Sequence, residues 1–171
     1  MFPSETGYPP QPGSRTLAGL ALQWNVGSTI DRQFVEVFTP GALSWPTNLE
    51  MCVGHVADKP IARLDHGSWR IAETAQGLWV ELDCPDTPQG DEWLHGTRFG
   101  TFFGWSICFR GTTAVRTWFW PQDKFDLPVC TISQATLLEV SIVRRPAHQT
   151  VIGVKSRLRQ RGIVGPFDDL P

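Results

Sequence analysis

Phe103-Gly104-Trp105-Ser106-Ile107-Cys108-Phe109-Arg110 is the stretch from which the rest of the chain is best read. It is an apolar run with β-strand character in which large side chains alternate with small ones. Phe103, Trp105, Ile107 and Phe109 fall on one face and suit a core, while Gly104, Ser106 and Cys108 share the other and leave room for another backbone to approach. A hydroxyl in that position is a buried filler or a nucleophile. Taken alone the filler is commoner, because buried hydroxyls usually bond to nearby backbone. A nucleophile needs a base and an acceptor, and two further strand-like segments carry them: His55 at a strand end beside a turn, and Glu139 within an apolar run.

Working outward, strands are expected over residues 101–109 and 114–120, then over 129–132 and 137–143, where Pro146 stops the pattern. Upstream the same alternation marks 16–26, 33–38, 51–55 and 60–64, and a hairpin joins 68–72 to 78–82 with Gly77 at its turn. Residues 42–49 read as a short helical or irregular connection. One helix is expected within 85–98, with Asp86 or Thr87 as its N-cap and Pro88 in its first turn. Many short strands and few helices give a mostly β fold, as a largely antiparallel sheet or a small antiparallel barrel.

Composition narrows the function. The chain has 171 residues, 41% of them hydrophobic with eight Trp and ten Phe, enough for a single core. A formal charge of −2 gives no global basic field, so neither nucleic acid nor an anionic membrane is an expected partner. No apolar stretch is long enough to span a bilayer. The four cysteines, Cys52, Cys84, Cys108 and Cys130, form no CxxC pair and read as reduced core thiols, with disulfides the alternative. Neither a phosphate-binding glycine loop nor an HExxH motif occurs, and no cofactor or metal is expected. Trp118-Phe119-Trp120 reads as core filling, with a substrate groove the alternative, His66 as a polar-turn residue and His95 as a helix-surface residue.

Three segments stand together in order: Val53-Gly54-His55-Val56 with the return Lys59-Pro60-Ile61, then Gly104-Trp105-Ser106, then Leu138-Glu139-Val140-Ser141-Ile142-Val143-Arg144-Arg145-Pro146-Ala147. Together with the upstream Phe38-Thr39-Pro40-Gly41-Ala42-Leu43, they resemble the prohead (capsid maturation) serine proteases of HK97-type tailed bacteriophages. That family is related to the herpesvirus assemblins, which implies an antiparallel β-barrel with a few helices. It also implies a serine endopeptidase that acts inside the assembling procapsid, in the cytoplasm of a host bacterium, on scaffold protein and the major capsid protein. The assemblins need dimerisation to activate, so a homodimer or higher oligomer is within the expectation. The flanks depart from the family: Trp105 replaces a small or polar residue, and Ile107-Cys108-Phe109 replaces a Phe-Gly-Phe-like phrase, which bears on substrate preference.

On this resemblance Ser106 is the nucleophile, His55 the general base and Glu139 the third member, with Ser141 or His148 as alternative orienting groups. Arg144 and Arg145 take the place of the assemblins' oxyanion-hole arginines. The chemistry asks for these types on its own account. A serine hydroxyl attacks once an imidazole takes its proton, and the imidazole works best when an acceptor fixes its tautomer. Residues 16–153 are then the protease domain, 1–15 a disordered Pro- and Gly-rich arm, and 154–171 a C-terminal tail that begins as a basic, solvated helix. A catalytically inactive assembly module of the same fold is the competing reading. A general esterase is a weaker one, because the GxSxG elbow is missing.

Overall fold

The computed structural model describes residues 15–168, apart from 103 and 124, so the arm over 1–15 and the facing of Phe103 lie almost wholly outside the described residues. In chain order the strands are β1 (Thr16–Gln23), β2 (Ser28–Ile30), β3 (Phe34–Phe38), β4 (Leu43–Ser44), β5 (Glu50–Val53), β6 (Ala62–Arg63), β7 (Trp69–Glu73), β8 (Gly77–Asp83), β9 (Gly104–Phe109), β10 (Val115–Phe119), β11 (Val129–Val143) and β12 (Gly153–Val154). The helices are α1 (Pro88–Arg98) and α2 (Lys155–Gln160). Thr87 caps α1, its Oγ1 accepting from the Gly90 amide at 3.2 Å, and Pro88 occupies the first turn, where its missing N–H costs nothing.

β11 is a single strand of 15 residues where two strands were expected. The reason is local. The ladder shifts register near Ser133 and again at Leu138, and each bulge turns two successive residues off the core face. Core-facing residues therefore run Cys130 and Ile132, then Ala135 and Leu137, then Val140 and Ile142, all buried. Alternation of period two loses phase at each bulge and looks like a strand end.

One edge of β11 takes β10 and β9 antiparallel, and the other takes β3, β4 and β5 in parallel. Seven of the ten ladders among the described residues are antiparallel, in line with the expectation, and the three parallel ones all join β11, so the sheet built on it is mixed. Two sheets result, a four-stranded one ordered β12-β1-β8-β7 and an eight-stranded one built on β11. Pairing among the described residues closes no barrel, so the architecture is mostly β with two packed sheets. Trp69, Trp105, Phe38, Leu17, Met51 and Ile142 are among the largest side chains fully buried in the main core. Truncating Trp105 to alanine would remove about 3–5 kcal/mol. Trp118, Phe119 and Trp120, expected in the core, are exposed because β10 pairs with β11 alone.

The segment expected to be a solvated tail packs on β1 and β8 instead, through Leu158, Ile163 and Phe167 against Ala18, Leu20 and Trp79. Its basic run is divided. Lys155 donates to Glu81 Oε2 at 2.8 Å and pairs with Asp168 at 3.0 Å, and Arg159 reaches Asp168 at 2.7 Å. Glu81 is wholly buried and also accepts from Trp79 Nε1 at 3.1 Å. Burial raises the Asp168 carboxyl, but hydrogen bonds from Arg159, the Gly165 amide and Lys155 outweigh it and hold the group below the usual range. A lowered folded value contributes stability that is fully present above the ordinary carboxylate value and is lost as pH falls below that value and through the lowered one. Asp168→Asn is therefore expected to lower unfolding free energy by about 2 kcal/mol at neutral pH. Urea melts check this, and the gap between parent and variant should narrow in acid.

Candidate active site

His55 owes its position to the backbone. β5 ends at Val53, and Gly54 (φ 63°) and His55 (φ 62°) follow in the left-handed region, which turns the chain sharply at the sheet edge. Glycine accepts that conformation freely, whereas histidine carries strain of about 1 kcal/mol or more, a kind that persists where surrounding contacts over-determine the site. Those contacts are present. The Gly54 amide donates to Ile142 O at 2.9 Å and the His55 amide donates to Ser141 Oγ at 3.1 Å, so both residues are bonded to β11.

The central strands bring the polar residues onto one face. Ser141 lies opposite Ser106 of β9, Glu139 lies opposite Cys108, and Cys52 of β5 flanks Ser141 from the other side. Cross-strand partners have Cα atoms about 4.5–5.5 Å apart, which makes Ser106, Ser141 and Glu139 close neighbours on the same surface. Trp105 and Ile107 turn the other way into the core.

Within that face the Glu139 carboxylate is held at both oxygens. His55 Nδ1 hydrogen-bonds Oε1, and Ser141 Oγ donates to Oε2 at 2.6 Å. The Glu139 side chain is 7% exposed and that of His55 is 42% exposed, so the acceptor is sealed while the imidazole opens to solvent. His55 Nε2 has no partner among the described residues, and neither has the Ser106 hydroxyl. Ser106 is 5% exposed and its Oγ is not sealed from solvent.

This electrostatic setting keeps the nearby thiols neutral. Burial first, then the charges of Glu139 and Glu50, push Cys52 up to about 11. Cys108 is raised by burial and then by Glu139, and burial pushes Cys84 up to about 12. All four cysteines are free, and Cys108 is exposed rather than buried in the core. A thiol titration of the folded chain at neutral pH should find one slowly reacting group, Cys108, with the other three appearing only on denaturation. Cys108→Ser should erase the native signal.

The remaining sequence candidates fall elsewhere. His148 bonds Glu36, whereas the partner of the His55 ring is Glu139. Arg144 and Arg145 are exposed and follow Val143, which pairs with Gly104, two residues before Ser106. His66 sits beside Asp65 in an exposed turn, and the His95 ring lies tilted against Phe99 at the end of α1. The buried Glu36–His148 pair was missed, although a carboxylate between Phe34 and Phe38 on one face of a strand was a visible signal. No group of His, Cys, Asp and Glu side chains placed to hold a metal ion occurs among the described residues. No helix among them is long and apolar enough to cross a membrane.

Fold and face together define a mostly β protein that presents a serine and a carboxylate from neighbouring strands and a histidine from the turn after β5. The chain belongs to the caudovirus prohead serine protease family, whose model matches residues 8–161. Comparisons with curated proteins and with solved structures found no match.

Proposed function

We propose that the chain is a serine endopeptidase that processes scaffold protein, the major capsid protein precursor, or both, during procapsid maturation. Ser106 is the nucleophile, His55 the general base and Glu139 the group that orients the imidazole. The observation that carries this reading is the His55 Nδ1–Glu139 bond, which leaves Nε2 free on the face that Ser106 shares. With Nδ1–H donating to a buried carboxylate, the basic lone pair resides on Nε2, as proton abstraction from a serine requires. Glu139 then stabilises the imidazolium formed as Ser106 Oγ attacks the peptide carbonyl. The imidazolium returns its proton to the leaving amine, and a water, deprotonated in the same way, releases the acyl group. Arg144 and Arg145 are proposed to supply the oxyanion donors, a contribution of about 3 kcal/mol to the barrier.

A second reading, an inactive protease-like module that binds capsid protein during assembly, is favoured by one observation: among the described residues no hydrogen bond joins Ser106 to His55. Such bonds are often loose before substrate binds. A fluorophosphonate probe separates the two. Labelling mapped to Ser106, together with cleavage of the coexpressed capsid precursor, is the expected result. Cleavage without labelling, or labelling elsewhere, would overturn the assignment, and the absence of both would favour the module.

A further inference from the structure

A second histidine–carboxylate pair, this one with both side chains buried, lies outside the proposed reaction. Glu36 is on the core-facing side of β3, in line with Phe38, with Ser28 and Cys130 as its ladder neighbours. His148 Nε2 lies 3.1 Å from Glu36 Oε1, with the His148 and Glu36 side chains 7% and 10% exposed. The ring meets Phe38 edge-on at 5.4 Å, and its Nδ1 is buried without a partner among the described residues. A carboxylate on a core face is tolerated when it is paired, and here the partner is a histidine from a connection, not from a strand.

That connection, residues 144–152, leads from β11 to β12 and borders the proposed site. It passes so close to β9 that a Cβ at Gly104 would overlap the Thr150 hydroxyl and lie 2.9 Å from Pro146 Cγ. Its far half is tied down where the Val151 amide donates to Leu20 O at 2.9 Å. Residues 144–147 make no hydrogen bond to another element among the described residues. The first anchor after Val143, beyond packing of Pro146, is therefore His148 on Glu36.

We infer that Glu36 and His148 are positioning residues: a buried latch that holds the main chain of residues 144–147 at the Gly104 end of β9, beside Ser106. This rests on the protease reading above. A polar pair suits the task better than an apolar contact, because a slip of one residue would leave both buried groups unpaired, whereas apolar side chains tolerate sliding. The latch touches no substrate atom and acts through the backbone that precedes it.

The test replaces both partners by apolar groups of similar size, in Glu36→Leu/His148→Phe, beside Glu36→Gln, which retains an acceptor for the ring. The double variant is expected to melt with the parent, yet cleave precursor with kcat lowered about tenfold or more at unchanged KM, since small misplacements at a site cost rate, not binding. Its amides over 144–152 should exchange hydrogen faster than the parent's, and Glu36→Gln should retain most of the parent rate. A double variant that folds, keeps the parent's kcat and shows unchanged exchange overturns the latch. Should that variant not fold, Glu36→Ala is scored by exchange over 144–152 alone, and unchanged protection there overturns it equally. Parent cleavage that depends on Ser106 while the latch variants match it sinks the latch only. A parent that never cleaves sinks the protease reading, and the latch's role in catalysis with it.

Discussion

Ser106→Ala is expected to reduce cleavage of the capsid precursor by at least about a thousandfold while leaving the melting temperature where it was. Both halves of that expectation come from the same geometry. The Ser106 hydroxyl makes no hydrogen bond among the described residues, so removing it orphans no partner. Alanine fits a strand position flanked on its own face by Gly104 and Cys108, and the core anchors Trp105 and Ile107 are untouched. A structural serine would behave in the opposite way, with a loss of stability from its broken bond and little change in rate. Residual turnover would reflect substrate positioning and oxyanion donors acting on water. Timed digestion followed by mass spectrometry, beside a thermal melt, checks both halves. A Ser106→Ala chain that cuts as fast as the parent removes Ser106 from the mechanism.

Local patterns in the sequence were enough to place the elements around this serine, but not to say how they assemble. Alternation across β9 separates Trp105 and Ile107 from Ser106, and the Thr87-Pro88 start of α1 is written in its capping chemistry. The hairpin β7–β8 follows from its glycine turn. Parallel pairing of β11 with β3, β4 and β5 joins residues about ninety positions apart, and no periodicity of either partner encodes which strand lies beside which. The site was legible to the same degree. His55, Ser106 and Glu139 stand out as candidates by their order, but alternation alone does not say whether the face that carries Glu139 is open or covered. The turn after β5 decides the matter, because it lays His55 over the face that Glu139 shares with Ser141 and bonds it to both. Ser141 has two roles, accepting from the His55 amide and donating to Glu139, and these depend on a left-handed turn that the dipeptide Gly54-His55 permits without announcing it.

Glu139→Gln tests that arrangement most sharply, with an expected fall in kcat on the order of ten-thousandfold and a fold left intact. The carboxylate accepts twice, from His55 Nδ1 at Oε1 and from Ser141 Oγ at Oε2. An amide of the same shape has one acceptor and one donor end. If its oxygen keeps the Ser141 hydroxyl, its NH₂ faces Nδ1, the ring proton moves to Nε2, and the imidazole can no longer accept from Ser106. If the amide turns over, Ser141 must rotate its hydroxyl to receive the NH₂, while still accepting from the His55 amide at 3.1 Å. The two serine bonds therefore bias the amide towards the unproductive orientation. It follows that Ser141→Ala, which alone should cost about tenfold as a supporting contact, ought to recover part of the activity lost in Glu139→Gln when the two are combined. Rates for the four chains, with folding followed by near-ultraviolet circular dichroism, measure that coupling directly. A Glu139→Gln chain within about tenfold of the parent would show that the imidazole does not depend on this carboxylate for its tautomer. A strictly additive double variant would show that Ser141 does not govern how the side chain at 139 presents its acceptor.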